Sequence, residues 1–536
     1  MKRSSSHQHR FGMQRRQAFI LGVVLITIVL LTLSVYNYTG TMQVEHEATM
    51  MGGRDLVART AAESAIELAA TRILERDSDD QINLFNDPDN FRGFVIADSA
   101  NERTKVYCSL IAFDEINSVS GGIRFGLASE NAKFNINTLL DLEQLDEGVE
   151  EEEKQELAYV AMSYIPNMND DIVDAILDWL DSDEERRPGG AESDDYEGLA
   201  IPYSCKNGPM ESIDELLKVQ GVTPEFFYGE DRNHNGILDL GEDLNGDGFF
   251  DPGWRGYLTA TSRERNTTPE GDDKINLNMG QMTDLFDAVE EAFDTDTAKF
   301  VVGVRIAGTE FLEAAGGLDP NDFQPDIDGQ ITREGIDLTI PPLYEINSIY
   351  DLIGVDTNPV TQFEGGTEVY SSPWSEDAST ILSELPDLEA MFTTTDDSFL
   401  EGRININQAR REVLLASLTV ADLPESIADA IISERPSIEL ESASSNILVR
   451  RNTAAWILAE GIVDLQQLQD IGPYITVGGD AYSFQAVGYF GDGGPTTRLE
   501  AMIDATVYPP KVIQVRDLTN LGRGYSPSLL KGPSVE

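Results

Sequence analysis

The stretch AFILGVVLITIVLLTLSVYNY, residues 18–38, decides how the rest of the chain is read. No charged residue occurs between Arg16 and Glu45. Its strongly apolar part, Ala18 to Val35, matches the ~17–25 residues with which a helix crosses a bilayer. A secretory signal peptide has a shorter apolar core of roughly 7–15 residues. Val35-Tyr36-Asn37-Tyr38 reads as an interfacial belt. Lys2, Arg3, Arg10, Arg15 and Arg16 precede the run and no acidic residue does. That bias predicts a single-pass anchor with a cytoplasmic N-terminus and the bulk of the chain translocated.

Working outward, no proline occurs from Met1 to Asp87, so nothing forces the helix to stop at the membrane surface. DLVARTAAESAIELAATRILER (residues 55–76) carries strong helix formers, with Val57, Ala61, Ser64, Leu68 and Ile73 near helical spacing. One long helix over 19–76 is expected, half in lipid and half packed on a soluble domain.

The acidity of the chain is extreme: 38 Lys and Arg against 95 Asp and Glu, a formal net charge of −57. Such a surface repels nucleic acid, because phosphate binding needs clustered basic side chains. Hydrophobic content of 41% argues for folded domains rather than an acidic disordered chain. Cys108 and Cys205 are the two cysteines; a bridge between them is permitted outside the cytoplasm, and nothing in the spacing demands it. No Ser/His/Asp, Cys/His or HExxH arrangement can be assembled, so an enzyme is not expected.

FRGFVIAD, KVYCSLIAF and GGIRFGLAS, between residues 91 and 129, alternate like strands. A pattern then recurs three times. Phe134-Asn135-Ile136-Asn137, Ile275-Asn276-Leu277-Asn278 and Ile404-Asn405-Ile406-Asn407 each open helical sequence. Each copy closes on an apolar segment with a glycine: SIDELLKVQG, SIYDLIG and IVDLQQLQDIG. The second asparagine of each opening is expected to cap the helix that follows. The copies read as helix-hairpin-helix units. Their hairpins, Ile165 to Asp171 and Ala421 to Glu425, are acidic and lack the glycines that hold phosphate, so no nucleic acid is expected as a partner. Strands return at 482–490, 496–509 and 511–522, followed by a Gly/Pro/Ser-rich tail expected to be loose.

Two acidic clusters point to a hard cation. Asp231, Asn233, Asn235, the Ile237 carbonyl, Asp239 and Glu242 fill every ligand position of a twelve-residue calcium loop, with Gly236 at its sharp turn. A second, overlapping loop has Asp243, Asn245, Asp247 and Asp251, but Trp254 stands at its twelfth position, so weaker binding is expected. Upstream lie Asp178, Asp181, Asp183, Glu192, Asp194 and Asp195, gathered where a helix ends. Negative charge there opposes the helix dipole; a bound cation would offset it, and simple solvation is the alternative. Calcium is the expected cofactor.

Two resemblances follow from these residues. The basic leader running into the apolar helix at Arg15-Arg16-Gln17-Ala18-Phe19 resembles a type IV pilin-like signal, which implies cleavage between Ala18 and Phe19. The fifth residue of the resulting helix is Val23, where most pilin-like subunits carry glutamate. The chain as a whole, above all ILDWLDSDEERRPGGAESDDYEGLAIPYSCKNGPMESIDELLKVQGV with the KINLN and ININQA openings, resembles the minor pseudopilin family of type II secretion system protein K.

That resemblance implies an α+β fold. A pilin-like N-terminal transmembrane helix packs on a small antiparallel β-sheet, interrupted by a large insert of helix-hairpin-helix/SAM-like repeats. The expected layout is a leader at 1–18, the helix at 19–76, the first part of the β-domain at 77–133, repeats at 134–274, 275–403 and 404–478, closing strands at 479–522 and the tail at 523–536. The implied role is to cap the tip of the periplasmic pseudopilus and help initiate it, anchored in the inner membrane beside other minor pseudopilins. The alternative is a membrane-anchored helix-hairpin-helix DNA receptor of a competence-like uptake system, which the acidic hairpins disfavour.

Overall fold

The protein is described from a computed structural model over residues 8–76, 83–101, 103–114, 121–147, 156–310, 312, 331–363, 365–377, 380–421, 423–435 and 453–531, the side chains of residues 8–18, 146 and 147 excepted. Of the leader expected at 1–18, residues 1–7 thus fall outside what is described and 8–18, Ala18 included, are described in backbone only; the hairpin residue Asp422 also falls outside.

Helix α1 runs unbroken from Gln8 to Arg76, through Gly40 and the Gly52-Gly53 pair. From Phe19 to Gly53 every side chain is exposed. Below that point the helix lies on a sheet, and the buried face is Ala58, Ala61, Ala62, Ala65, Ile66, Ala69 and Ile73. This corrects the expected stripe: Val57 and Ser64 face outward and Leu68 is half-buried. The reason is proximity. A Cβ placed on Gly488 of the sheet would sit 2.1 Å from the Ala58 carbonyl oxygen, so the two backbones touch and only small side chains fit between them.

The sheet takes strands from both ends of the chain. Strands β1 (Phe94–Ala97) and β2 (Val106–Phe113) precede the insert; β3 (Ala481–Phe490), β4 (Thr496–Asp504) and β5 (Lys511–Asp517) follow it. Their order is β1-β2-β3-β4-β5, antiparallel throughout. Strand β3 is buried along nearly its whole length. One face carries α1; the other carries Ser483 and Gln485, which bond the insert-side residues Glu130 and His234.

The tail expected to be loose at 523–536 is docked as far as Lys531, and 532–536 lie outside the described residues. Residues 527–531 form a short helix, Tyr525 and Leu530 are buried, and Arg92 donates to the Leu529 carbonyl. Two large apolar side chains among the glycines and serines are enough to dock the segment.

The insert consists of three units built alike. Each opening dipeptide, Phe134–Asn135, Ile275–Asn276 or Ile404–Asn405, pairs in parallel with an apolar-Thr dipeptide: Leu258–Thr259, Phe392–Thr393 and Ile475–Thr476. The units therefore close at 259, 393 and 476. The segments after the first two, 263–265 and 399–401, pair with each other.

The asparagines act differently from the expected caps. It is the first of each opening, Asn135, Asn276 or Asn405, whose side-chain oxygen accepts the N–H two residues on. The second is a staple. Asn137 exchanges hydrogen bonds with the Met210 main chain and donates to the Ala260 carbonyl. Asn278 does the same with Ile346 and Thr394. In both units this half-buried amide thus fixes the closing segment against the paired ribbon, its oxygen and nitrogen both finding partners. The closing segments begin with reciprocal caps at Ser212/Glu215, Ser348/Asp351 and Asp464/Gln467.

Between these ends lie helix pairs: α2 (Leu157–Ser163) with α3 (Asp170–Leu180), α4 (Met282–Ala292) with α5 (Thr295–Ala307), and α6 (Arg411–Leu418) with α7 (Glu425–Glu434). Their apolar faces merge into one core spanning all three units. Cys205 belongs to that core and Cys108 to the core beneath α1; both are free thiols.

Candidate metal centres

The first loop leaves the short helix Pro224–Tyr228 and folds back on the sheet. The Asp231 carboxylate accepts from the Asn235 and Gly236 backbone N–H groups at 2.9 and 2.8 Å, which curls the loop around it. Gly236 has φ +72°, and a side chain there would strike the Phe113 ring. The amides of Asn233 and Asn235 both turn their nitrogens to Asp239 Oδ2, at 2.7 and 2.8 Å. Glu242 Oε2 accepts from the Asp239 N–H. Asp231, Asn235 and Glu242 are buried, and Asn233 Oδ1 is enclosed without a partner. Burial pushes the Asp231 carboxyl up to about 6, with Glu242 adding to the rise. An enclosed amide oxygen and buried carboxylates facing one another fit a hard cation, for which Asp231, Asn233, Asn235, Asp239, Glu242 and the Ile237 carbonyl are the donor set.

The loop is fastened to the sheet by residues the sequence did not single out. Arg498 of β4 is fully buried and donates to the main-chain carbonyls of Asn233 and His234. Gln485 of β3 donates to the His234 carbonyl, and Asn235 donates to the Gly524 carbonyl of the C-terminal segment. Gly122 donates to the Gly236 carbonyl. His234 stacks on Tyr228 at 4.7 Å, and burial, with Arg255, holds its imidazole down to about 3. No local motif marks Arg498 or Gln485, since their partners lie more than 250 residues away.

In the second loop, Asp243, Asn245 and Asp247 each spend one side-chain oxygen on a turn N–H, and Asp251 spends one on Gly253. Asp243 is half-buried; Asn245 and Asp247 are exposed. Trp254 at the twelfth position is buried, stacks on Phe226 and donates to the Pro166 carbonyl.

The upstream cluster resolves into a trio. One ligand oxygen from each of Asp178, Asp181 and Glu192 lies within 4.8 Å of the others. Asp183, Asp194 and Asp195 are not in it: Asp183 accepts from Glu185 N–H, Asp194 is exposed, and Asp195 takes the Glu192 N–H and pairs with Arg186. Much of the charge at the α3 terminus is met by Arg187, which bonds Asp178 at 2.9 Å, Asp181 at 2.5 Å and Glu143 at 2.9 Å. The Pro-Gly-Gly turn after it runs tight over the helix; a Cβ on Gly190 would fall 2.0 Å from Asp178 Oδ2. Both Glu192 oxygens are buried without a partner, and burial followed by Asp178 and Asp181 raises this carboxyl to about 7.

Compared with known proteins, residues 132–228 match the family model of type II secretion system protein K, first domain. Two curated relatives, both type II secretion system protein K, are similar. That of Pectobacterium carotovorum subsp. carotovorum is 38% identical over 56 residues, 10% of this chain and 17% of that one. That of Aeromonas hydrophila is 27% identical over 219 residues, 40% of this chain and 61% of that one. The chain thus spans less than two thirds of the length of either. Among solved structures, a chain of the GspK-GspI-GspJ complex from the enterotoxigenic Escherichia coli type 2 secretion system overlays 88% of this chain and 99% of itself. Identity is 10% and the TM-score 0.35, too low to carry an argument.

Proposed function

We propose that this chain, whose residues 132–228 are similar to the first domain of type II secretion system protein K, is a minor pseudopilin that caps the pseudopilus tip and helps start its assembly. The observation that carries the reading is where that match falls. It covers most of the first insert unit, in a chain whose only described helix of membrane-crossing length and apolarity packs on a split sheet. A subunit of this kind holds its place in a filament through the exposed apolar helix, and a bulky insert between its strands leaves little room for another subunit above. Anchoring is by 18–38 in the inner membrane, with the N-terminus cytoplasmic and the insert periplasmic. The leader is removed between Ala18 and Phe19. The three units are helix-hairpin-helix/SAM-like modules in a structural, non-enzymatic role, and their partners are other minor pseudopilins.

Calcium is the cofactor of this reading, held by the Asp231–Glu242 loop, with the Asp178/Asp181/Glu192 trio as a further place for it. A cation there supplies charge that the acidic chain lacks and ties the insert to Arg498 and Gln485 of the sheet. A metal that binds only the folded state adds about 2.7 kcal/mol at a hundredfold excess over Kd. Purification from membranes tests the whole. Other minor pseudopilins should co-isolate, the N-terminus should read Phe19, and chelator should lower the melting temperature unless Asp231 and Glu242 are already alanine. A protein isolated alone, with Met1 intact and melting unmoved by chelator, refutes it.

A further inference from the structure

We propose that Glu230 supplies the carboxylate that the second loop lacks at its twelfth position, so that Asp243 to Asp251 binds a divalent cation of its own. The proposal rests on the reading of Asp231–Glu242 as a cation loop.

Glu230 immediately precedes the first loop, yet its bonds go to the second. Its N–H donates to the Asp251 carbonyl at 2.9 Å. Its Oε1 accepts from the Leu244 and Asn245 N–H groups at 2.8 and 3.3 Å. The side chain thereby reaches the start of the second loop, while the Glu230 main chain is bonded to that of the ninth position. Glu230 is only 5% exposed, and its other oxygen, Oε2, is enclosed with no hydrogen-bond partner. A buried carboxylate oxygen left unpaired is costly. Natural folds rarely leave one unless something absent from the chain completes it.

The other donors lie on the loop that Glu230 bonds. Asp243 and Asp251 have each spent only Oδ1, on turn N–H groups, and Asp247 Oδ2 accepts from the Asn245 amide nitrogen at 2.9 Å, a side-chain bond that a cation would replace. The seventh position offers the Phe249 carbonyl. Trp254 cannot contribute, being anchored in the core through Phe226 and Pro166. All donors are oxygen, which selects calcium-like ions over zinc or copper. No three of these acids approach as closely as Asp178, Asp181 and Glu192 do. Gly246 and Gly248, at positive φ with open space around them, leave the loop room to draw in.

The test is equilibrium dialysis of the detergent-solubilised full chain against calcium alone, counting bound ions. Glu230→Gln keeps an oxygen for the two N–H groups but replaces the ligand oxygen by an amide nitrogen. It should lose one calcium equivalent. Asp247→Asn, at an exposed position, should lose the same one, and the double variant should still lose only one. Glu242→Gln should lose a different equivalent, additive with Glu230→Gln. If Glu230→Gln binds calcium like the wild type, or if its loss adds to that of Asp247→Asn, Glu230 is no ligand. If none of these variants changes the calcium bound, the first-loop reading falls as well. Should Glu230→Gln not fold, Glu230→Asp decides: at least tenfold weaker binding of that equivalent supports the proposal, and unchanged binding overturns it.

Discussion

Replacing Gly488 with alanine adds one methyl group where helix and sheet are in backbone contact. The new Cβ would lie 2.1 Å from the Ala58 carbonyl oxygen and 2.9 Å from the Ala62 nitrogen. Ordinary contact begins near 3.4 Å, so α1 and β3 must part by about 1.3 Å. Neither neighbour can yield locally: Ala58 and Ala62 belong to a continuous helix, and Gly488 is paired on both sides, to Cys108 and Thr497. A gap of 0.5–1 Å already forfeits roughly a quarter to a half of the contact energy of the atoms across it. The loss would extend along Ala58, Ala61, Ala62, Ala65 and Ile66. Overpacking costs about 1–3 kcal/mol and occasionally more, and this site belongs at the upper end, about 3 kcal/mol. For a unit of 150–250 residues that corresponds to a melting point lowered by roughly 6–12 °C. Gly52→Ala is the control: nothing lies within 4 Å of its Cβ, and alanine is favoured over glycine in a helix by about 0.5–1 kcal/mol. Thermal unfolding of the full chain in detergent, followed by circular dichroism, compares the two. If Gly488→Ala melts with the wild type, the helix does not lie on the sheet as described.

Two further outcomes follow from buried polar groups. Asn278→Ala strands the Ile346 main chain and the Thr394 carbonyl and removes a partner of Arg305; it should cost about 2–4 kcal/mol in denaturant unfolding, whereas Asn347→Ala, at an exposed position, should cost less than about 0.5 kcal/mol. His234, held down to about 3, resists charging in the fold but not in the unfolded chain, so its contribution is complete above pH 6.5 and is lost as pH falls toward 3. The stability advantage of wild type over His234→Asn, which tolerates the positive φ at this position, should shrink by about 1.4 kcal/mol per pH unit across that window at low metal; a pH-independent difference would show the imidazole to be solvated.

Hydropathy and alternation made the anchor, the long helix and the main strands legible, because each extends over enough residues to show a period. Of the expected helix face, Ala61 and Ile73 are buried, whereas Val57, Ser64 and Leu68 each stand one residue before a buried alanine. Val57 and Leu68 look like core residues, and only the backbone contact at Gly488 explains why alanines take that place. The repeats were visible through their asparagine openings, but their two-residue partners carry no periodicity, and the Leu-Thr, Phe-Thr and Ile-Thr dipeptides passed as ordinary loop. Spacing alone picks out the acids proposed to hold a cation, and the loop curls around the first of them, Asp231. Arg187, Glu230 and Arg498 were not, since each acts through a single long side chain on partners that only the folded chain brings near. Tyr525 and Leu530 were read as tail for want of any neighbour in sequence to explain them.

If the chain is, as proposed, a tip subunit whose helix faces other minor pseudopilins, photo-crosslinking in assembling cells should reveal it. Val57 is 44% exposed and Ser64 is exposed on the side of α1 away from the sheet, whereas Ala61 is buried and serves as the internal control. A photo-crosslinking residue at 57 or 64 should yield adducts with the other minor pseudopilins and none between copies of this chain. A ladder of self-adducts from position 57 or 64 would make it a repeating shaft subunit and contradict the account.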